Sequence, residues 1–135
     1  MAQDVLFDSD YLHLSYDDDM GFVWARWKGM TSSDNMKSGT DLYIDAFIKH
    51  NTGKVMIDMQ EVNGTFTAIN DWLVGNWTPR ALKAGMKACA LIHSADIFTK
   101  FAMNKINDQY EKGQKLFGLR LFGNWDEGKD WLNTF

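Results

Sequence analysis

The chain has 135 residues, 45% of them hydrophobic, and a formal net charge of −4. This length and composition predict one folded domain with a sizeable core and exclude a disordered chain. The acidic balance, without basic runs among aromatic residues, argues against nucleic-acid binding. No apolar run approaches the ~20 residues of a membrane span, and the acidic start MAQDVLFDSD is unlike a signal peptide. With Cys89 as the single cysteine, we expect a cytoplasmic protein in a reducing compartment.

The first predicted elements are two strands joined by a polar turn. YLHLSY, residues 11–16, alternates apolar and polar positions, DDDMG reads as the turn, and FVWARWKG, residues 22–29, is the second strand. Alternation places one set of side chains of this strand on each face of a sheet. The two predicted sets are Phe22, Trp24 and Arg26, and Val23, Ala25 and Trp27.

A helix and a buried strand follow the hairpin. Residues 31–53 carry apolar side chains at helical spacing, with Ser or Thr at positions 31–33 as the N-cap and Gly53 as the predicted exit. KVMIDM, residues 54–59, is a short apolar run typical of a buried strand. A loop over residues 60–67 leads to the next helix.

Pro79 interrupts the second predicted helix, in the stretch NWTPRALKAG. A proline inside a helix clashes with the carbonyl of the residue four positions earlier, here Gly75, and leaves it without a donor. One interpretation is two helices, the second capped by Thr78. The apolar positions continue in phase across the proline, however, which favours one bent helix over residues 68–84.

The remaining elements alternate again. MKACALIH, residues 86–93, is a buried strand in which we expect Cys89 to be an inert thiol. A helix begins at Ser94 and covers about residues 94–113, KLFGLRLF is a strand, and Asn124 caps the closing helix. The order ββαβαβαβα predicts a single α/β domain with a mostly parallel sheet and one antiparallel pair.

No catalytic or metal-binding motif emerges. The three histidines are isolated, the run at residues 17–19 lacks the ligand pattern of a calcium loop, and no nucleophile-elbow, P-loop or dinucleotide motif is present. Asp58 follows an apolar run, where it either serves a site at the sheet edge or caps a neighbouring backbone group. We therefore predict a protein that is not an enzyme and has no cofactor or metal.

The chain resembles the STAS-like family, the fold of anti-sigma-factor antagonists, and within it a small bacterial branch of uncharacterised members. Four segments carry the resemblance, which covers about residues 20–135: FVWARWKGMTSSDN, KVMIDMQEV, NWTPRALKAGMK and LFGNWDEGKDWL. The resemblance implies a STAS-like domain. It also implies a partner-docking surface around the start of the second main helix, where antagonists carry a phosphorylated serine or threonine. This chain has VNGTFTAIND in place of the family's Asp-Ser-x-Gly pattern, so the resemblance points only to Thr65 or Thr67 as the phospho-acceptor.

Two functions follow as hypotheses. The first is a non-enzymatic regulatory module that docks an unknown protein partner through the loop 60–67 and the bent helix 68–84, with formation of a homo-oligomer left open. There Trp72, Asn76 and Arg80 form a row at i, i+4 and i+8 and combine types enriched at binding hot spots; the alternative is a half-buried Trp72 with a solvated Arg80. The second is binding of a small lipid-like ligand, which some STAS-like relatives suggest by their shape. A connected apolar pocket favours the second function, and a solid core with an exposed row favours the first.

Overall fold

In the computed structural model, which describes residues 3–30, 32–63, 69–93 and 117–135, six strands form one sheet in the order of the chain. The strands are β1 (Gln3–Asp8), β2 (Leu12–Asp17), β3 (Phe22–Gly29), β4 (Lys54–Val62), β5 (Ala88–Ile92) and β6 (Gly118–Phe122). The helices are α1 (Ser33–His50), α2 (residues 70–83, in three segments) and α3 (Trp125–Leu132).

The sheet is mixed and mostly parallel, as predicted. β3, β4, β5 and β6 pair in parallel, and β1–β2 and β2–β3 pair antiparallel. The prediction of one antiparallel pair was wrong, because β1 was not recognised. The pairing register of β1 shifts between Val5 and Phe7. This bulge interrupts the alternation of apolar and polar residues by which a strand is predicted from sequence. The predicted helix over residues 94–113, with its Ser94 cap, lies outside the described residues.

The two faces of β3 carry the predicted side chains. Val23, Ala25 and Trp27 are buried in the larger of two apolar clusters. Phe22 belongs to the smaller cluster, and Trp24 packs against it. We call the side of the sheet that carries the larger cluster the first face and the opposite side the second face.

The ends of α1 differ in part from their prediction. Ser32 is the N-cap, and its side chain accepts a hydrogen bond from the Asn35 N–H at 3.1 Å. The exit is Asn51, in the left-handed conformation with φ 49°, and the prediction of Gly53 in this role was wrong. A Cβ at Gly53 would collide with the Gly85 carbonyl, so this glycine serves the close approach of two backbone segments.

Helices cover both faces. Side chains of α1 and α2 belong to the cluster on the first face. α3 packs on β4, β5 and β6 from the second face, and its predicted cap is confirmed, because Asn124 Oδ1 accepts from the Glu127 N–H at 3.0 Å. No helix within the described ranges has both the length and the apolar character needed to cross a membrane.

Candidate functional site

α2 is one continuous helix with a widened turn in its middle. Its segments are α-helical over Asn70–Trp72, π-helical over Leu73–Trp77 and α-helical over Thr78–Lys83. The Leu73 carbonyl accepts from both the Thr78 N–H, five residues on, and the Thr78 hydroxyl at 2.8 Å. One helix across Pro79 is therefore confirmed, and Thr78, with helical φ and ψ of −59° and −46°, is not an N-cap.

The π-helical turn is the way in which this helix accommodates its proline. Pro79 has no N–H to offer, and its ring would crowd the Gly75 carbonyl in a regular α-helix. In a π-helical turn the backbone hydrogen bonds join residues five positions apart instead of four, so the pairing of carbonyls and N–H groups changes. Such π-bulges are frequent at functional sites. Leu73 and Trp77, the first and last residues of the turn, both face the first face of the sheet and are buried.

An apolar pocket of about 90 Å³ lies between the first face of the sheet and helices α1 and α2. Its walls come from these two helices, from Ile69 directly before α2, and from strands β3 to β6 with Phe117 directly before β6. The lining side chains are Trp27, Met36, Thr40, Tyr43, Ile57, Met59, Ile69, Leu73, Trp77, Cys89, Leu91, Phe117 and Leu119. None of these side chains, all from the described part of the chain, carries a formal charge, so the wall that they form suits an uncharged apolar molecule.

The polar atoms of the pocket wall bond mainly to each other. The indole of Trp27 donates to the Tyr43 hydroxyl at 2.6 Å, and the indole of Trp77 donates to the Thr40 carbonyl at 2.7 Å. The Thr40 hydroxyl donates to the carbonyls of Met36 and Lys37, at 2.9 and 3.0 Å. The rings of Tyr43 and Trp77 meet edge to face with their centroids 6.1 Å apart. These bonds fix the aromatic walls in place.

Burial also suppresses ionisation in the pocket. It raises the pKa of the Cys89 thiol to about 12 and raises the pKa of Tyr43 above its ordinary value. Cys89 is buried, as predicted, and its thiol lies 3.4 Å from the Met86 sulfur. At neutral pH neither side chain is an anion, and the pocket therefore offers neither a thiolate nor a phenolate as nucleophile or base.

The structure brings the predicted row Trp72, Asn76 and Arg80 together. Arg80 Nε donates to Asn76 Oδ1 at 3.1 Å, and its guanidinium carbon lies 5.8 Å from the centre of the Trp72 ring. Arg80 also bonds to Asp41 of α1 at 2.8 Å, and the ammonium of Lys37 lies 5.6 Å from the Trp72 ring. Asn76 and Arg80 are exposed, and Trp72 is half-buried against the larger cluster.

The predicted phospho-acceptors Thr65 and Thr67 lie outside the described residues. Of the predicted loop 60–67, the structure describes only residues 60–63. Asn70, which opens α2 directly after that segment, is 3% exposed, and no partner in the described chain satisfies either atom of its amide.

The other candidates have local structural partners. Asp58 is buried, pairs with Arg26 at 3.2 Å and accepts from the Gln60 N–H at 3.0 Å, which supports the capping interpretation. Asp17 accepts the N–H groups of Asp19 and Met20 and so closes the acidic turn. Among the residues that the structure describes, no group of three or more His, Cys, Asp or Glu is placed to hold a metal ion.

Sequence reasoning did not find the residues of the pocket. Trp27, Tyr43 and Trp77 lie on three different elements, and only the fold brings their rings together. The one signal available was composition, since six tryptophans and nine phenylalanines are many for this length. That signal does not separate a cavity wall from a filled core.

The fold is similar to the crystal structure of an uncharacterised protein of the DUF3478 family from Shewanella loihica PV-4, which is described as having a SpoIIAA-like fold. The TM-score is 0.56 with 19% sequence identity, and the similarity covers 93% of this chain and 98% of that chain. No family model matches the chain, and no curated protein matches it significantly. The predicted STAS-like α/β fold is confirmed, and at this identity the likeness extends to the fold alone.

Proposed function

We propose that this chain is a non-enzymatic binding module that takes a small hydrophobic ligand in the apolar pocket. The observation that carries the proposal is the pocket itself, lined by aromatic and aliphatic side chains from both the sheet and the helices. Sites for small ligands are concave and mostly apolar, with a few polar groups that set orientation. The suppressed ionisation of Cys89 and Tyr43 supports binding rather than catalysis.

The size of the pocket limits the ligand. About 90 Å³ is less than the ~150 Å³ of an engineered cavity that holds benzene. Met36 and Met59 line the pocket, and methionine side chains adapt their shape more readily than branched or aromatic ones. We expect a compact ligand, or one end of a longer ligand that displaces these two side chains.

The first experiment tests occupancy of the pocket with a ligand of known shape. Benzene, which enters if the Met36 and Met59 side chains shift, is titrated into the protein while the methyl resonances of lining residues are followed by NMR. Saturable shifts at Ile57, Leu91 and Met59, together with a higher melting temperature, are the expected result, because a ligand that binds only the folded state stabilises it.

A variant with a filled pocket and a matched control make the test specific. Leu91→Phe adds bulk to the pocket wall, whereas Ile48→Phe adds a comparable ring at a position on α1 that is 66% exposed. We expect Leu91→Phe to abolish the saturable shifts and Ile48→Phe to retain them. Equal binding by both variants, or no saturable shift in the wild type, contradicts the proposal.

A second candidate function is protein docking through Trp72, Asn76 and Arg80. The supporting observation is the cluster that these residues form with Lys37 and Asp41 on the outer side of α1 and α2. Trp and Arg are the residue types that most often dominate binding energy at interfaces. The resemblance to anti-sigma-factor antagonists implies a docking surface in this part of the fold, with an unidentified protein or a second copy of the chain as the partner.

Docking is tested by comparing two exposed cations of the same helix. Arg80→Ala breaks the cluster, and Lys83→Ala removes an exposed charge from the last turn of α2. If docking is the function, Arg80→Ala lowers recovery of co-purifying protein, or the dimer fraction in sedimentation, at least tenfold relative to Lys83→Ala. Equal recovery for both variants contradicts docking through this row.

A further inference from the structure

Tyr43 lines the pocket, and its hydroxyl makes only one hydrogen bond among the described residues. Tyr43 is 1% exposed, and its oxygen accepts one hydrogen bond, from Trp27 Nε1 at 2.6 Å. A phenol has one proton to donate in addition to the lone pairs with which it accepts. No atom in the described part of the chain accepts the Tyr43 proton. Buried polar groups without a partner are rare, and each calls for an explanation.

The neighbouring polar groups do not supply that partner. The Thr40 carbonyl accepts from Trp77, and the Met36 carbonyl accepts from the Thr40 hydroxyl. The thiol of Cys89 is directed to the sulfur of Met86. No described neighbour therefore accepts the phenol proton, and among the apolar side chains of the pocket an unmade hydrogen bond costs more than it does in water.

We infer that the pocket selects a neutral hydrophobic molecule with an acceptor oxygen, such as a ketone, ester or ether, and that the Tyr43 hydroxyl donates to that oxygen and orients the ligand. This inference rests on the proposed function, because it names the class of ligand for the same pocket. A carboxylate or an amine is disfavoured, since the lining residues that the structure describes supply no opposite charge to compensate its desolvation.

The donor is available across the physiological pH range. Burial raises the pKa of Tyr43 above its ordinary value of 10.0, so the proton remains on the oxygen at neutral pH. The hydrogen bond from Trp27 also holds the ring and its hydroxyl in a fixed orientation. A fixed donor in an apolar wall is the arrangement that gives a pocket its preference for one orientation of a ligand.

The test compares two probes of nearly the same shape, cyclopentanone and methylenecyclopentane, which differ by a carbonyl oxygen in place of a CH₂ group. Their dissociation constants are measured by NMR titration for the wild type and for Tyr43→Phe. The expected result is that Tyr43→Phe weakens cyclopentanone about tenfold relative to methylenecyclopentane. Taking this ratio cancels the different hydration of the two probes and any general change of the pocket.

Tyr43→Phe also leaves the Trp27 indole without its acceptor, so a second measurement uses the wild type alone. The infrared carbonyl frequency of bound cyclopentanone falls below its value in hexane if the carbonyl accepts a hydrogen bond. An unchanged probe ratio, or a bound frequency equal to that in hexane, overturns the inference. In that case binding of methylenecyclopentane still upholds the proposed function, whereas failure of both probes to bind overturns the two together.

Discussion

Helix α3 on the second face and helix α2 on the first face contact the sheet in different ways. On the second face α3 lies directly on the strands. The short distance is evident at Gly128, where an added Cβ would come within 3.0 Å of Met56 and Ile92. On the first face α2 meets the sheet through Leu73 and Trp77, and the pocket lies beside these side chains.

The contrast shows how one domain combines a closely packed helix with a helix that borders a pocket. A glycine in the contact of α3 removes the side chain that would separate helix and sheet. In the contact of α2, the π-helical turn presents the large side chains of Leu73 and Trp77 to the sheet. These side chains leave a gap beside them that they do not fill. We attribute the pocket to the large contact residues of α2, in contrast to the glycine in the contact of α3.

The largest expected effect is at Trp77. This side chain is buried, borders the pocket, packs edge to face on Tyr43 and donates to the Thr40 carbonyl. Trp77→Ala should lower the free energy of unfolding by about 3–5 kcal/mol, measured by urea denaturation.

Arg80→Ala, one turn away on the exposed side, is the control for this prediction. Its ion pair with Asp41 is half-exposed on both sides, and we expect a change of no more than ~1 kcal/mol. A loss at Arg80 as large as that at Trp77 would place the row of Trp72, Asn76 and Arg80 in the core and remove it as a docking candidate.

An intermediate effect is expected from one added methyl group on the second face. Gly128→Ala inserts it between α3 and the buried side chains of Met56 and Ile92, whereas Gly75→Ala places it where no atom lies within 4 Å. Both changes remove a helical glycine, so their difference isolates packing. Thermal or urea unfolding should find Gly128→Ala less stable than Gly75→Ala by ~1–3 kcal/mol. Equal stabilities would mean that the second face is packed no more tightly than open surface.

The smallest expected effect is at Pro79. Pro79→Ala restores a backbone donor within α2 but gives the unfolded chain more conformational freedom. Pro79 itself is exposed, and the Thr78 hydroxyl continues to hold the Leu73 carbonyl. We expect the free energy of unfolding to change by less than ~1 kcal/mol in urea denaturation. A loss above ~3 kcal/mol would show instead that the proline ring maintains the helix.

Much of the fold could be predicted from periodicity, and the exceptions have local physical causes. The alternation of side chains predicted the two faces of β3 correctly. The helical spacing of apolar residues on both sides of Pro79 predicted correctly that α2 is one helix. β1 was missed because a bulge interrupts its alternation between Val5 and Phe7. The exit of α1 was assigned to Gly53 because glycine is the common choice, whereas Asn51 adopts the left-handed conformation here.

The candidate site was less predictable, because it depends on distances between elements. Sequence spacing placed Trp72, Asn76 and Arg80 on one side of a helix, and the structure brings the three into contact. Spacing along the chain did not indicate that Tyr43 and Trp27 share a hydrogen bond at the edge of a pocket. Nor did it indicate that the turn before Pro79 is π-helical, with the Thr78 hydroxyl bonded to the Leu73 carbonyl.

Crystals of the wild-type protein equilibrated with xenon under pressure test the central claim most directly. Xenon occupies apolar cavities that are not filled by protein atoms or water. If the first face holds a ligand pocket, xenon density appears between α2 and the sheet, in contact with Trp77 and Leu91, and is absent from crystals of Leu91→Phe. Xenon bound elsewhere in the molecule with none at this position would contradict the claim that the pocket is a binding site.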